Sequence, residues 1–243
     1  MKSKFAIPGR ALLIVAVGVA VILSAAGTSS LYATNYDLND DWSDLSNPNG
    51  VWSLVKNHEG DLFTTNQPDY YNDGSNQNAW ADDLWGTLAH VPYWMKWNDD
   101  GLIYAHTPEF DRTGTDYTSA VWTSPLAGPV EISGELWSTW VSGRELSWQL
   151  KLNGTIISSA LLVADGTYDE NNPFDLADGS GGAAALTQTV EIGDTLELGL
   201  VSISENGNLG DEVGLEFTIL PEPSSLALLG VGVLALVRRK IRQ

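Results

Sequence analysis

The sequence contains no cysteine among its 243 residues. Disulfide bonds, thiolate metal sites and a thiol nucleophile are therefore excluded. A folded domain therefore has no covalent crosslinks to stabilise it. About 187 residues, 34–220, lie between two terminal segments that each combine an apolar run with a cluster of cations. That length is enough for one domain to bury a substantial core.

Basic residues are also scarce, with 12 Lys+Arg against 31 Asp+Glu and a formal net charge of −19. Only five of these cations but thirty of the acids lie within residues 34–220, so the net charge of that segment is near −25. Nucleic-acid binding needs cations that displace counterions, and is excluded. Anionic membrane surfaces are repelled as well. The charge suits an exported protein that binds neutral sugars or divalent cations, or one that is simply kept soluble.

The first 33 residues are predicted to be a signal peptide. Three cations, Lys2, Lys4 and Arg10, precede an apolar run from Ala11 to Leu23, and small residues follow. This order is typical of secretory signals. Cleavage after Ala26 and cleavage after Ala33 both fit. A retained anchor is the alternative, although the run is shorter than the roughly 20 residues that span a bilayer.

The last 23 residues, 221–243, have three parts in order. Pro221-Glu222-Pro223 is stiff and non-helical, an apolar run spans Leu226 to Val237, and Arg238-Arg239-Lys240 follows. The tail resembles the PEP-CTERM sorting domain of Gram-negative bacteria. The resemblance implies recognition by exosortase, a membrane processing enzyme, after export and cleavage by signal peptidase. It implies a transient transmembrane helix and a final place at the cell surface or outside the cell; the alternative is an ordinary membrane anchor.

Residues 34–220 are predicted to form one all-β domain, a β-sandwich of the jelly-roll type. Apolar and polar residues alternate strictly over 146–152, 195–200 and 215–219, as in half-buried strands. Asn153-Gly154 between two such runs predicts a hairpin. No segment outside the two ends shows helical periodicity. Many short strands with frequent turns favour a sandwich.

Several short motifs resemble bacterial jelly-roll modules of the carbohydrate-binding and galactose-binding-like kinds. They are Asn47-Pro-Asn-Gly-Val-Trp52, Trp122-Thr-Ser-Pro125, Gly128, Ile132-Ser-Gly134, Asn153-Gly154, Gly193-Asp194 and Asp211. The resemblance implies a jelly roll that binds carbohydrate. The alternative is another sandwich topology, such as an immunoglobulin-like one.

Tryptophan is the most unusual feature, because all ten lie before residue 149. A Trp ring offers a flat surface to the C–H face of a sugar. Trp148 alternates with leucines and is predicted to be core. Within 92–97, Trp94 and Lys96 share one face of a predicted strand, and we expect that face to be exposed. We therefore predict Trp94, Trp80 and Trp85 as ligand-binding platforms; the alternative is that they cap the edges of the core.

A loop rich in Asp, Asn and Gly, 165–182, is a candidate calcium site. Calcium prefers several carboxylate and carbonyl oxygens. The predicted ligands are Asp165, Asp169, Asn171, Asp175 and Asp178. Their order does not match a known calcium loop, and solvated turns explain the same composition.

Catalysis has little support in the sequence. The G-x-S-x-G, H-E-x-x-H and P-loop motifs are absent, and three histidines are scattered. Three hypotheses follow: a module that binds carbohydrate or exopolysaccharide, a structural or adhesive surface protein without a discrete ligand site, and a glycan-cleaving enzyme. We favour the first, with no catalytic residues assigned.

Overall fold

The computed structural model describes residues 34–87, 91–109, 113, 115–203 and 210–222. The chain divides into two units, 1–33 and 34–243, and every described residue belongs to the second. The predicted signal peptide and the tail beyond residue 222 lie outside these ranges. Within them, no helix has the length and apolar character needed to cross a membrane.

Regular structure in the described ranges consists of fourteen strands and two short 3-10 helices. The strands are β1 (Tyr36–Asp37), β2 (Trp52–Val55), β3 (Asn66–Gln67), β4 (Ala79–Ala81), β5 (Tyr93–Lys96), β6 (Ile103–His106), β7 (Tyr117–Thr123), β8 (Gly128–Ser138), β9 (Glu145–Leu152), β10 (Thr155–Val163), β11 (Phe174–Asp175), β12 (Thr187–Val190), β13 (Thr195–Ser202) and β14 (Glu212–Pro221). The 3-10 helices are Leu176–Asp178 and Ala183–Leu186.

The strands form two antiparallel sheets that pack as a β-sandwich, which confirms the predicted fold class. The large sheet has nine strands in the order β11-β8-β14-β6-β5-β4-β3, with β1 added on β14 and β12 on β8. The small sheet has the order β10-β9-β13-β7-β2. Strand β14 occupies a central place because β8, β6 and β1 all pair with it.

The core lies between the two sheets and follows the period-two alternation of the sequence. In β14 every second residue is buried there: Val213, Leu215, Phe217 and Ile219. The small sheet contributes Leu196, Leu198 and Leu200 of β13 and Trp148 of β9 to the same core. Burial of each such side chain stabilises the fold by about 1.5–3 kcal/mol.

The hairpin predicted at Asn153-Gly154 joins β9 and β10. Both turn residues have positive φ, 49° for Asn153 and 76° for Gly154. This is the geometry of a two-residue type I′ turn, whose twist matches that of the flanking strands. The prediction is confirmed, and the turn fixes the register that pairs Leu152 with Thr155.

The exposure predicted for Trp94 and Trp80 is wrong, since both belong to the core. Trp94 is 0% exposed and its indole N–H donates to Thr118 Oγ1 at 2.8 Å. Trp80 is also buried and donates to the Ser43 carbonyl at 2.9 Å. The predicted alternation in β5 is correct, but the face that Trp94 shares with Lys96 is the one turned towards the small sheet. The opposite face, with Tyr93 and Met95, is covered as well.

We expect Trp94→Ala to lower the free energy of unfolding by about 3–5 kcal/mol, because it empties a large, fully packed site in the core. Urea denaturation followed by circular dichroism measures this loss. Trp85→Ala is the matched control: Trp85 is 44% exposed, so its removal has a smaller effect. A Trp94→Ala protein as stable as the wild type would contradict the placement of Trp94 in the core.

Candidate functional site

The outer face of the large sheet carries aromatic side chains where a solvated sheet face normally carries polar ones. We call this surface the aromatic face. Its members are Tyr70, Tyr71, Trp85, Tyr93, Trp97, Tyr104, His106 and Trp137.

Strand alternation positions most of these rings. In β6, Ile103 and Ala105 point into the core, so Tyr104 and His106 point outward. In β5 the inward residue is Trp94, which leaves Tyr93 and Met95 outside. The segment between β3 and β5 adds Tyr70, Tyr71 and Trp85 over this outer surface.

The rings form a continuous series of contacts across the sheet. From Trp137 the series runs through Tyr104 and Trp97 to Tyr71, and the ring centroids of successive pairs are 6.4, 6.0 and 5.7 Å apart. Tyr71 then meets Trp85 at 5.6 Å. All four contacts are edge-to-face, which is a favourable arrangement of aromatic quadrupoles. The contacts hold each ring in a fixed plane.

Gly214 of β14 makes the centre of the aromatic face possible. It pairs with Tyr104 on one side and with Trp137 on the other, so the two rings meet across a position that has no side chain. A Cβ atom at Gly214 would clash with the Trp137 indole. Glycine is required here for close approach, and the flanking aromatic rings cover the backbone that it leaves open.

A groove of about 270 Å³ opens beside these two rings. Its lining on the sheet is Tyr104, Trp137, Ser138 and Thr139. The loop 169–171, which contributes Asp169, Glu170 and Asn171, forms the other wall. The Tyr104 hydroxyl donates to Asp100 Oδ2 at 2.8 Å, which anchors the ring at the rim. The groove thus offers an aromatic wall opposite hydroxyl, carboxylate and amide groups.

A half-buried carboxylate, Glu212, supports the aromatic face next to the groove. It accepts a hydrogen bond from the Tyr93 hydroxyl. Burial raises the pKa of Glu212 above its ordinary value of 4.5, although the bond from Tyr93 acts in the opposite direction. Burial likewise raises the pKa of Tyr93, and the nearby Glu212 charge adds to that rise.

Of the three predicted platforms, only Trp85 is exposed. It lies on the aromatic face against Tyr70 and Tyr71. Tyr104 and Trp137, the two aromatic residues that line the groove, are not among the residues predicted from the sequence. The two residues are 33 positions apart in the sequence, and only the pairing of β6 and β8 with Gly214 brings their rings together.

The predicted calcium ligands of the loop 165–182 are not gathered into one acidic group in the described structure. The described ranges hold no group of three or more His, Asp or Glu residues arranged to bind a metal ion. Three of the four carboxylates have local roles, because they accept backbone N–H bonds within turns. Asp165 accepts from Thr167, Asp169 from Asn171 and Asn172, and Asp175 from Ala177, at 2.8–3.1 Å. Asp178 is exposed in the 3-10 helix that follows, and Asn171 lines the groove with Asp169.

The predicted sorting residues lie partly within the described ranges. Pro221 is the last residue of β14 and pairs with Val130 of β8. Glu222 is exposed, and its backbone N–H donates to the Pro129 carbonyl at 3.0 Å. The other four residues lie outside the description: Pro223, Arg238, Arg239 and Lys240.

Comparison with known proteins identifies one segment of the chain. Residues 220–243 match the PEP-CTERM protein-sorting motif, which confirms the resemblance seen in the tail. The motif implies an exported protein that is sorted to the cell surface. No curated protein matches the chain.

Two solved structures show a distant similarity. One is a family 35 carbohydrate binding module from Clostridium thermocellum, with 11% identity, a TM-score of 0.29, and coverage of 53% of this chain and 87% of that one. The other is the CBM36-1 domain of a multidomain xylanase from the hindgut metagenome of Trinervitermes trinervoides, with 9% identity, a TM-score of 0.29, and coverage of 54% and 86%.

We expect Gly214→Ala to lower the free energy of unfolding by about 1–3 kcal/mol, as overpacking does. The physical reason is the clash with Trp137. The control is Trp137→Ala in the same background, since removing the indole gives the new methyl group room. Chemical denaturation of the four proteins of this double-mutant cycle measures the coupling. Additive effects would contradict the contact between Gly214 and Trp137.

Stability is expected to depend on pH through Glu212. The pKa of Glu212 is higher in the folded protein than in the unfolded chain, so the folded state binds the proton more tightly. This contribution to the free energy of unfolding is complete below about pH 4.5, the ordinary pKa of a glutamate. It is lost as the pH rises through the folded-state pKa. Glu212→Gln stays neutral, so its melting temperature should fall less than that of the wild type between pH 4.5 and neutrality. The pH dependence of stability that remains in Glu212→Gln comes from Asp211 and Glu216, because their pKa values are also raised. Glu59→Gln, an exposed substitution, is the control, and equal slopes for both variants would refute the role of Glu212.

Proposed function

We propose that the protein is exported to the cell surface or extracellular matrix and that its β-sandwich binds carbohydrate in the groove on the aromatic face. One observation carries the proposal. Two aromatic rings in edge-to-face contact, Tyr104 and Trp137, line the groove together with hydrogen-bonding side chains from the loop 169–171.

A sugar ring fits this combination because its chemistry is two-sided. Its axial C–H groups form apolar patches that pack on aromatic faces, and its hydroxyl groups both donate and accept hydrogen bonds. Tyr104 supplies a half-buried ring, Asp169 and Asn171 supply acceptors and an amide donor, and Ser138 and Thr139 supply hydroxyl groups. Recognition of a small polar ligand by a few placed polar groups on an apolar wall is the common pattern of such sites.

The charge of the domain narrows the ligand class. The segment 34–220 has a net charge near −25, and the groove wall adds Asp169 and Glu170. A polyanionic glycan would be repelled on approach and would have to desolvate these carboxylates. The proposed ligand is therefore a neutral polysaccharide, such as an exopolysaccharide without uronic acids.

The export route rests on the two ends of the chain. We infer that residues 1–33 are removed by signal peptidase and that residues 221–243 are recognised by an exosortase-type enzyme. The folded domain supports this division because β14 ends at Pro221 and the exposed Glu222 follows. A cut beyond this point leaves the strand pairs of β14 in place.

Titration calorimetry with soluble neutral β-glucan, xylan and mannan tests the carbohydrate site. We expect Tyr104→Ala to weaken binding by about tenfold or more, equivalent to ~1.4 kcal/mol, because it removes a wall of the groove. Tyr104→Phe keeps the ring and loses only the bond to Asp100, so it should bind nearly as well as the wild type. Leu161→Ala, an exposed apolar substitution on the small sheet, is the control for non-specific adhesion. Equal binding by Tyr104→Ala and wild type would contradict the proposed site.

A further inference from the structure

Trp140, just beyond β8, is an exposed tryptophan in a fixed position. It is 55% exposed, yet its indole N–H donates to Asp211 Oδ1 at 2.6 Å. The guanidinium carbon of Arg144 lies 5.7 Å from its ring centroid, within the range of a cation–π contact. The Arg144 side chain is itself held by a 2.6 Å bond to the Gly210 carbonyl.

The anchor of this ring is a buried carboxylate. Asp211 is only 2% exposed. It also accepts bonds from the Ser142 hydroxyl at 2.9 Å and from the Glu212 backbone N–H at 3.0 Å, and its own N–H donates to Thr107 Oγ1 at 2.9 Å. Burying a carboxylate is unfavourable unless its hydrogen bonds are satisfied. Two of these bonds fix the loop 140–142, so the arrangement orients an exposed ring.

A ring held in this way is preorganised for ligand binding. An exposed Trp that samples several rotamers would lose that freedom on binding, and a ring fixed beforehand avoids this cost. The anchoring bonds use the indole N–H and leave apolar ring surface in solvent. Such a surface suits stacking on an apolar sugar face.

Trp140 is also continuous with the proposed groove. It follows Trp137, Ser138 and Thr139, all of which line that groove, and the Ser138 hydroxyl donates to the Trp140 carbonyl at 2.6 Å. Three residues of chain reach at most about 10 Å. Trp140 therefore lies close enough to the groove for a ligand longer than the groove to reach its ring.

We infer that Trp140 is a second sugar-stacking platform, that Asp211 is its positioning residue, and that the ligand is a neutral glycan chain of several units spanning the groove and Trp140. This inference rests on the carbohydrate-binding function proposed above. It adds the polymeric nature of the ligand and a second binding position.

The neighbouring Val141, which is 72% exposed, makes a membrane the competing partner for this loop. The charge of the domain argues against it, because a net charge near −25 is repelled by anionic lipid surfaces. Sugar stacking needs the Trp140 ring alone, whereas membrane insertion uses Val141 equally. The two partners are therefore separated by comparing substitutions at these adjacent positions.

Calorimetric titration of the exported domain with disaccharides and hexasaccharides of β-1,4-glucan, xylan and mannan tests the inference. For the glycan that binds, we expect the hexasaccharide to bind the wild type about tenfold more tightly than the disaccharide. Trp140→Ala should abolish this difference and leave disaccharide affinity within about twofold of the wild type. Val141→Ala should behave as the wild type with both ligands.

The role of Asp211 has its own readout. Asp211→Asn keeps an oxygen for the indole N–H and should retain most of the length dependence, whereas Asp211→Ala should lose it; melting curves check that both variants are folded.

Length dependence that persists in Trp140→Ala overturns this inference and leaves groove binding intact. Binding to phosphatidylcholine vesicles that both Trp140→Ala and Val141→Ala abolish also overturns it. Failure of the wild type to bind any of these glycans overturns the proposed function and the inference with it.

Discussion

The two faces of the large sheet both depend on the side-chain alternation of β14. Its inward residues, Val213 to Ile219, close the sandwich core, while Gly214 on its outer side leaves the space in which Tyr104 and Trp137 meet. A shift of one residue in the register of this strand would bring glutamates into the core and valine and leucine onto the outer face. The hydrophobic effect that aligns β14 with the small sheet thus also determines where the aromatic face lies. Stability and the candidate site are consequences of the same constraint.

The sequence was sufficient to predict what is local. The period of two in β9, β13 and β14 follows from half-buried strands, and the Asn153-Gly154 turn follows from the need for positive φ at both residues. The very short strands β1 and β3 were not predicted, because two residues carry no periodic signal.

The site depends on contacts between distant parts of the chain, which the sequence does not display. Alternation correctly put Trp94 and Tyr93 on opposite faces, but it did not reveal which face meets the small sheet. No sequence pattern predicts a binding role for Trp140, because its position depends on a bond to Asp211, 71 residues further along the chain. Composition alone predicts the loop carboxylates as calcium ligands, whereas one oxygen of Asp165 and one of Asp169 accept local bonds from the backbone N–H groups of Thr167 and Asn171.

Residues at both ends of β14 take part in the two proposed roles of the protein, glycan binding and sorting. Asp211 and Glu212 at its start support Trp140 and Tyr93, and Pro221 at its end begins the sorting segment. The proposed function is therefore that of an exported module whose aromatic surface binds neutral glycans.

The most direct measurement is a nuclear magnetic resonance titration of the ten indole N–H signals with the neutral glycan. We predict shifts for Trp137, which lines the groove, and for Trp140, and none for Trp122 and Trp148, which are buried between the sheets. Shifts confined to other tryptophans, or no shifts at saturating glycan, would contradict it.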